Sequence, residues 1–365
     1  MDREMAQRIR ARKTRHSCSI PGSERMTMSR REVGFSLIEL MIAMLIGLFI
    51  VLGVVLVYAS AVRTQVLNES LSRVQENGRF AVSFLSRDIR MAGYDGGCTT
   101  AVNNLLDETD GDYNADLLTL GSAVSGWDNS AGDHAAYLTG YTAGTDVISL
   151  QHAANDTGLV ANGNTPANAA NINLTTQSGI PAGTIILVSD YEGCDLFQNR
   201  SNANATNLNR GASGSNPGPG NKNPGHNNFS HRYDGDIQIF QFESVVYYIG
   251  DGANGRPALR RVRFSQGIGA GNPSEELVSD IADMQIEYGV DADGDRDPEN
   301  FVNAGAVANW DDVIAVRLWL LTEGQNGNVL ETPQQLPAPF NGLDVSDRRL
   351  RRVFTATSAI RNRLP

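Results

Sequence analysis

Three sets of side chains in this 365-residue chain have the types and spacing that chemistry requires. Glu39 is the only charged residue in the run FSLIELMIAMLIGLFIVLGVVLVYASAV, Phe35 to Val62. A lone carboxylate in so apolar a setting is costly to keep unpaired, so it calls for a partner. Cys98 and Cys194 each follow a glycine, and Cys18, the other cysteine, lies in a basic N-terminal stretch. The pair can form one disulfide or remain as two buried thiols. Asp291, Asp293, Asp295 and Asp297 alternate around Gly294. Ca2+ takes several oxygens from one tight turn, and this spacing offers them. The run is not an EF-hand loop, because its glycine comes fourth and Val302 stands at the twelfth position. An Asp-rich β-turn draws on the same residues, so both readings stand. Asp107, Asp110 and Asp112 form a shorter run of the same kind.

Catalytic signatures are missing. The chain has no GxSxG and no HExxH, and Gly267-Ile268-Gly269-Ala270-Gly271 lacks the spacing of a phosphate loop. His134, His152, His226 and His231 are dispersed. His226 and His231 near Asp234 could hold a metal, although solvated loop histidines are far more common. No enzymatic activity and no bound cofactor are expected, Ca2+ at the Asp-rich turn excepted. The formal charge of −11 argues against a nucleic-acid partner. It is unevenly spread: residues 1–34 carry nine Arg/Lys and four Asp/Glu, a net of +5, which leaves −16 for the rest.

These groups need elements to hold them. The uncharged residues 40–62 would span about 34 Å as a helix, enough for a bilayer core of about 30 Å. The basic flank places the N-terminus in the cytoplasm and the acidic body across the membrane. A cleaved secretory signal has a shorter apolar core and a clear small-residue cleavage site, and neither is found here. Leu67, Leu71, Val74, Gly78, Ala81, Leu85 and Ile89 recur at threes and fours. The spacing predicts that the helix continues, amphipathic, over residues 63–92, stopping at Gly93. Beyond it, β-branched and aromatic runs at 145–152, 184–190, 237–249, 258–264, 284–290, 313–321 and 352–360 predict strands. Apolar residues on both parities make 313–321 an interior strand. Residues 199–228 hold ten Asn, five Gly and three Pro, with Leu208 their only large apolar side chain. Such a composition predicts a disordered surface insertion.

Arg30-Arg31-Glu32-Val33-Gly34-Phe35-Ser36-Leu37-Ile38-Glu39-Leu40 resembles the signal of type IV prepilins. That resemblance implies cleavage by a prepilin peptidase between Gly34 and Phe35, and methylation of the new N-terminus. It also implies that Glu39 pairs with a neighbouring subunit's terminal amine, which supplies the missing partner. Residues 1–34 would be the leader. A start at Met28 gives the more typical leader MSRREVG, so residues 1–27 read as a misassigned start. Arg73-Val74-Gln75-Glu76-Asn77-Gly78-Arg79-Phe80, Asp88-Ile89-Arg90-Met91-Ala92-Gly93-Tyr94, Ile286-Glu287-Tyr288-Gly289-Val290-Asp291 and Ile360-Arg361-Asn362-Arg363 are similar to the PilW group of minor pilins.

The resemblance implies an α+β pilin-like fold. A long N-terminal helix, with 35–62 in the membrane, would pack on an antiparallel β-rich periplasmic domain over 93–365 with long loop insertions. It implies a minor pilin of the inner membrane, then of the surface pilus, that primes assembly or lies near the tip. Its partners would be other minor pilins, the major pilin and a tip adhesin. A type II secretion pseudopilin shares the signal and the architecture, and a membrane-anchored periplasmic hydrolase is a more distant alternative. With Cys98 and Cys194 outside the cytoplasm, where disulfides persist, a bridge between them is expected. It would close a loop of about 97 residues and contribute roughly 4–5 kcal/mol.

Overall fold

A computed structural model describes residues 34–363 except 122, 213–216 and 269–270. The expected leader, Gly34 apart, and Cys18 lie outside the described residues. Helix α1 runs Leu37–Met91 without a break. The chain divides into two compact units, 1–59 and 60–365. In the first, the side chains from Phe35 to Tyr58 are almost all exposed. The 18-residue stretch that marks α1 as a candidate membrane span buries none of itself against protein.

In the second unit, α1 presents Ser70, Val74, Gly78, Ala81, Leu85, Ser86 and Ile89 inward. The buried face thus starts later than the apolar spacing predicts: Leu67 is half-buried and Leu71 exposed. Small residues let the sheet approach closely. A Cβ added at Gly78 would lie 2.2 Å from the Phe354 ring. The helix stops where Gly93 takes φ +73°, a left-handed conformation that favours glycine. The Gly93 N–H then donates to the Gln151 carbonyl at 2.8 Å, so the chain leaves the helix directly onto a sheet.

The larger sheet comprises β1 (Asn103–Asn104), β2 (Val124–Trp127), β3 (Val147–Asp156), β5 (Ile185–Ser189), β6 (Cys194–Gln198), β8 (Gln238–Asp251), β9 (Pro257–Arg263) and β10 (Glu275–Ser279). Its order is β1-β6-β5-β8-β3-β2, with β9 also on β8 and β10 on β9. The pairing is antiparallel throughout, apart from the short β1–β6 contact. A second antiparallel sheet is ordered β12 (Asn300–Val302), β11 (Ile281–Val290), β13 (Val313–Glu323), β14 (Arg351–Ala359). Strand β4 (Asn171–Asn173) pairs with β7 (Asn207–Asn209) apart from both. One turn of helix, α2 (Ala115–Leu118), is capped by Asn114. The α+β pilin-like architecture is therefore as expected, and β13 is interior, paired on both sides.

Strand β8 explains why one sheet serves two cores. Val245, Tyr247 and Ile249 face α1 and the second sheet, packing with Leu85, Ile89, Met284 and Leu318. The alternate residues Phe242, Val246 and Tyr248 line the opposite core with Leu118, Val262 and Phe264.

The expected disorder over 199–228 is corrected: its described residues are folded. Leu208 is fully buried with Ile172, Phe197, Phe229 and Tyr233. Side-chain amides supply bonds that a sheet would otherwise make. Asn221 both accepts the Gln198 N–H at 2.7 Å and donates to the Gln198 carbonyl at 2.8 Å. Arg210 is buried, lies 4.6 Å from the Phe229 ring and donates to the Asn227 and Ala167 carbonyls. Counting the segment's own apolar residues missed both the walls supplied from elsewhere and this polar pairing.

Buried Asp146 ties the two sheets. It accepts the N–H of Asn129 at 2.8 Å and of Ile286 at 2.7 Å, and its own N–H donates to the Met284 carbonyl. Burial pushes its carboxyl up to about 7, against those two bonds and with help from nearby Asp128 and Asp283. The native state then holds a proton that the unfolded chain has released. The contribution of Asp146 to stability falls as pH rises from about 4 to 7, by at most about 1.4 kcal/mol per pH unit, and levels off above. Melting of the detergent-solubilised chain across this range should show that decline, and Asp146→Asn should flatten it.

Candidate processing and assembly site

The N-terminal segment is open to contact. Gly34 and Phe35 are exposed, and nothing lies within 4 Å of the place where a Gly34 side chain would start. Ser36 Oγ accepts the Glu39 N–H at 3.2 Å, and the Leu40 N–H donates to the Ser36 carbonyl. Ser36 therefore begins α1 as an N-cap, with Glu39 three residues on. The S-x-x-E spacing of a capping box was a sequence signal that could have located this start. The Glu39 side chain is exposed and has no partner among the described residues.

Cys98 and Cys194 are joined in a disulfide with their Cα atoms 5.7 Å apart. It fastens the segment after α1 to the first residue of β6. The next residue, Asp195, is fully buried and accepts from Ser230 N–H, Ser230 Oγ and Tyr233 Oη. Burial and the Asp195 carboxylate raise the Tyr233 hydroxyl far above its usual pKa, so it remains a donor. Ser230 Oγ also lies 2.9 Å from His231 Nδ1, and His231 Nε2 lies 2.9 Å from Asp190. The order is that of a serine relay, but here the hydroxyl is clamped between imidazole and the Asp195 carboxylate. Its effect is to brace β6.

Asp291, Asp293, Asp295 and Glu299 bring one oxygen each to within 4.8 Å of one another, the one such group of metal-ligand types among the described residues. Asp297 is outside it and Glu299, which sequence reasoning missed, is inside. The signal for Glu299 is the β11–β12 pairing, which folds residue 299 back to Val290. These carboxylates already accept backbone N–H groups: Asp291 from Gly294 and Arg296, Asp293 from Asp295, Glu299 from Ala292. Such bonds are those of an Asp-rich turn. His226 and His231 are not brought into a ligand group. His152 lies in β3, and His134 meets Trp127 edge-on with ring centroids 4.2 Å apart.

Residues 246–362 match the family described as Type IV Pilus-assembly protein W, PilW. The matched span starts within β8 and contains the whole second sheet. Residues 30–55 match the prokaryotic N-terminal methylation motif, which covers Gly34, Phe35 and Glu39. No curated protein and no solved structure matches the chain. The two family matches bear out the resemblance to PilW and prepilins, and they support a minor pilin of type IV pilus assembly, a class that is generally non-enzymatic. The motif and the apolar first half of α1 fit an inner-membrane anchor.

The disulfide closes 96 residues of sequence separation, for which chain entropy gives about 4–5 kcal/mol. Thiol titration of the denatured, non-reduced protein should find no thiol from Cys98 or Cys194. Reduction should lower the melting temperature by several degrees. Cys98→Ser with Cys194→Ser should reproduce that lower value and respond no further to reductant.

Proposed function

We propose that this protein is a minor pilin that enters the type IV pilus early, priming assembly and staying near the tip. Prepilin peptidase cuts between Gly34 and Phe35. Until then, residues 35–62 hold the chain in the inner membrane with the β-rich domain in the periplasm. Glu39 then sits at the fifth position of the mature chain and pairs with the terminal amine of an adjacent subunit. Other minor pilins and the major pilin are its neighbours, with a tip adhesin as a further partner.

The observation that carries this reading is the conjunction, on one chain, of the methylation motif at residues 30–55 and the PilW match at 246–362. The same conjunction favours the pilus over a secretion pseudopilus, since the shared signal alone fits both. Physical chemistry supports the role of Glu39. An exposed carboxylate near the start of an apolar helix with no partner of its own must find a charge outside the chain or remain costly in the bilayer.

Glu39→Ala should leave membrane insertion intact, since removing a carboxylate from an apolar helix eases insertion. It should deplete the protein from sheared pili at least tenfold, measured by immunoblot of pilus and membrane fractions. Wild-type levels of the variant in pili would refute the assembly contact.

A further inference from the structure

Around the last turns of α1 lies a cavity of about 830 Å³ with a charge opposite to that of the body. Arg87 and Arg90 from α1, Arg261 and Arg263 from β9, and Arg361 from the turn after β14 line it. Two acids join them, Asp88 and Glu243, so the lining is net +3 in a chain that is −16 beyond its leader. Both acids are engaged. Glu243 holds Arg263 at 3.2 Å, and Asp88 accepts the Tyr247 hydroxyl. Arg261 is held by Glu275 at 2.8 Å. The guanidinium groups of Arg87, Arg90 and Arg361 are exposed and have no ion pair or hydrogen bond among the described residues.

Two further features point to a ligand. His152 lines the cavity while only 5% exposed, and its Nδ1 has no hydrogen-bond partner. Burial lowers its pKa, which favours the neutral ring. Phe84, Met91 and Tyr94 also line the cavity, yet each remains more than a third exposed. Arginines interleaved with exposed apolar groups suit a ligand that alternates carboxylates with apolar side chains, because the guanidinium fork matches a carboxylate in two bonds.

Other anions fit less well. Arg87 lies 25 residues past Val62, about 38 Å along the helix, several Debye lengths from headgroups at the end of the apolar run. An inorganic anion leaves most of the volume and all of the apolar lining unused. The overall acidity disfavours nucleic acid.

We propose that this cavity receives an acidic peptide segment, with apolar side chains among its carboxylates, from a neighbouring protein subunit. That the segment belongs to a subunit rests on the assembly reading above; the preference for acidic peptide rests on the cavity alone.

A fluorescent decapeptide of alternating Glu and Leu, titrated into the detergent-solubilised full chain, tests it by anisotropy. Binding should be saturable and weaken with salt. Arg87→Ala with Arg90→Ala should weaken it about tenfold or more, and Arg361→Ala should weaken it further. Phe84→Ala should also weaken it, and the exposed Arg232→Ala should not. The Arg87, Arg90 and Arg361 guanidiniums hold nothing among the described residues, so unchanged melting temperatures are expected of those variants. No binding, equal binding of the Gln-Leu peptide, displacement by millimolar inorganic phosphate, or indifference to the arginine variants would overturn the proposal. The assay involves no pili. Failure of binding while Glu39→Ala is excluded from pili removes the cavity's role and leaves the assembly reading. Binding by a chain whose wild-type form is absent from sheared pili keeps the peptide site and removes a pilus subunit as its source.

Discussion

One constraint organises this molecule: a single unbroken helix must satisfy two different surroundings. Over its first half α1 buries nothing against protein and is apolar around its whole circumference. Over its second half it keeps a narrow inward stripe of small and aliphatic residues from Ser70 to Ile89. That stripe is the floor on which the rest is built, since Ala81, Leu85 and Ile89 belong to the core shared by both sheets. Gly78 permits the Phe354 ring of β14 to lie on the helix, and Gly93 turns the chain at once onto β3. The disulfide then pins the next segment to β6 within a few residues of that turn.

The parts legible in the sequence were those governed by periodicity. The helix and the long strands, β3, β5, β8, β9, β11, β13 and β14, each fall on a predicted run, with ends shifted by a few residues. The short strands were not legible. Cys194–Gln198 is wholly buried, yet it reads CDLFQ, polar at two of five positions, because Asp195 and Gln198 are satisfied by Ser230, Tyr233, Gly183 and Asn221. The Asn-rich segment failed for the same reason: its order comes from amide and guanidinium bonds to distant backbone, which composition does not reveal. In the acidic turn the sequence offered alternate aspartates, whereas the hairpin returned Glu299 and left Asp297 aside.

Charge is distributed as purposefully as apolar surface. An acidic body keeps a positive cavity where the end of the helix, β9 and the final turn converge. The arginines come from three parts of the chain far apart in sequence, so only the fold reveals their grouping. Buried acids are treated differently. Asp195 is surrounded by donors, whereas Asp146 is held by two N–H groups and burial raises its carboxyl to about 7. Polar pairing therefore joins sheet to sheet and β6 to its neighbours, where packing of apolar residues alone would leave donors unmet.

The proposed role of α1 depends most on processing as a prepilin, which would make Glu39 the fifth residue of the mature chain. The direct measurement is the N-terminal sequence and intact mass of the protein recovered from sheared pili. A chain beginning at a methylated Phe35, with Gly34→Leu accumulating unprocessed in the membrane, is the predicted result. A chain in pili that keeps residues before Phe35, or begins elsewhere, would contradict it.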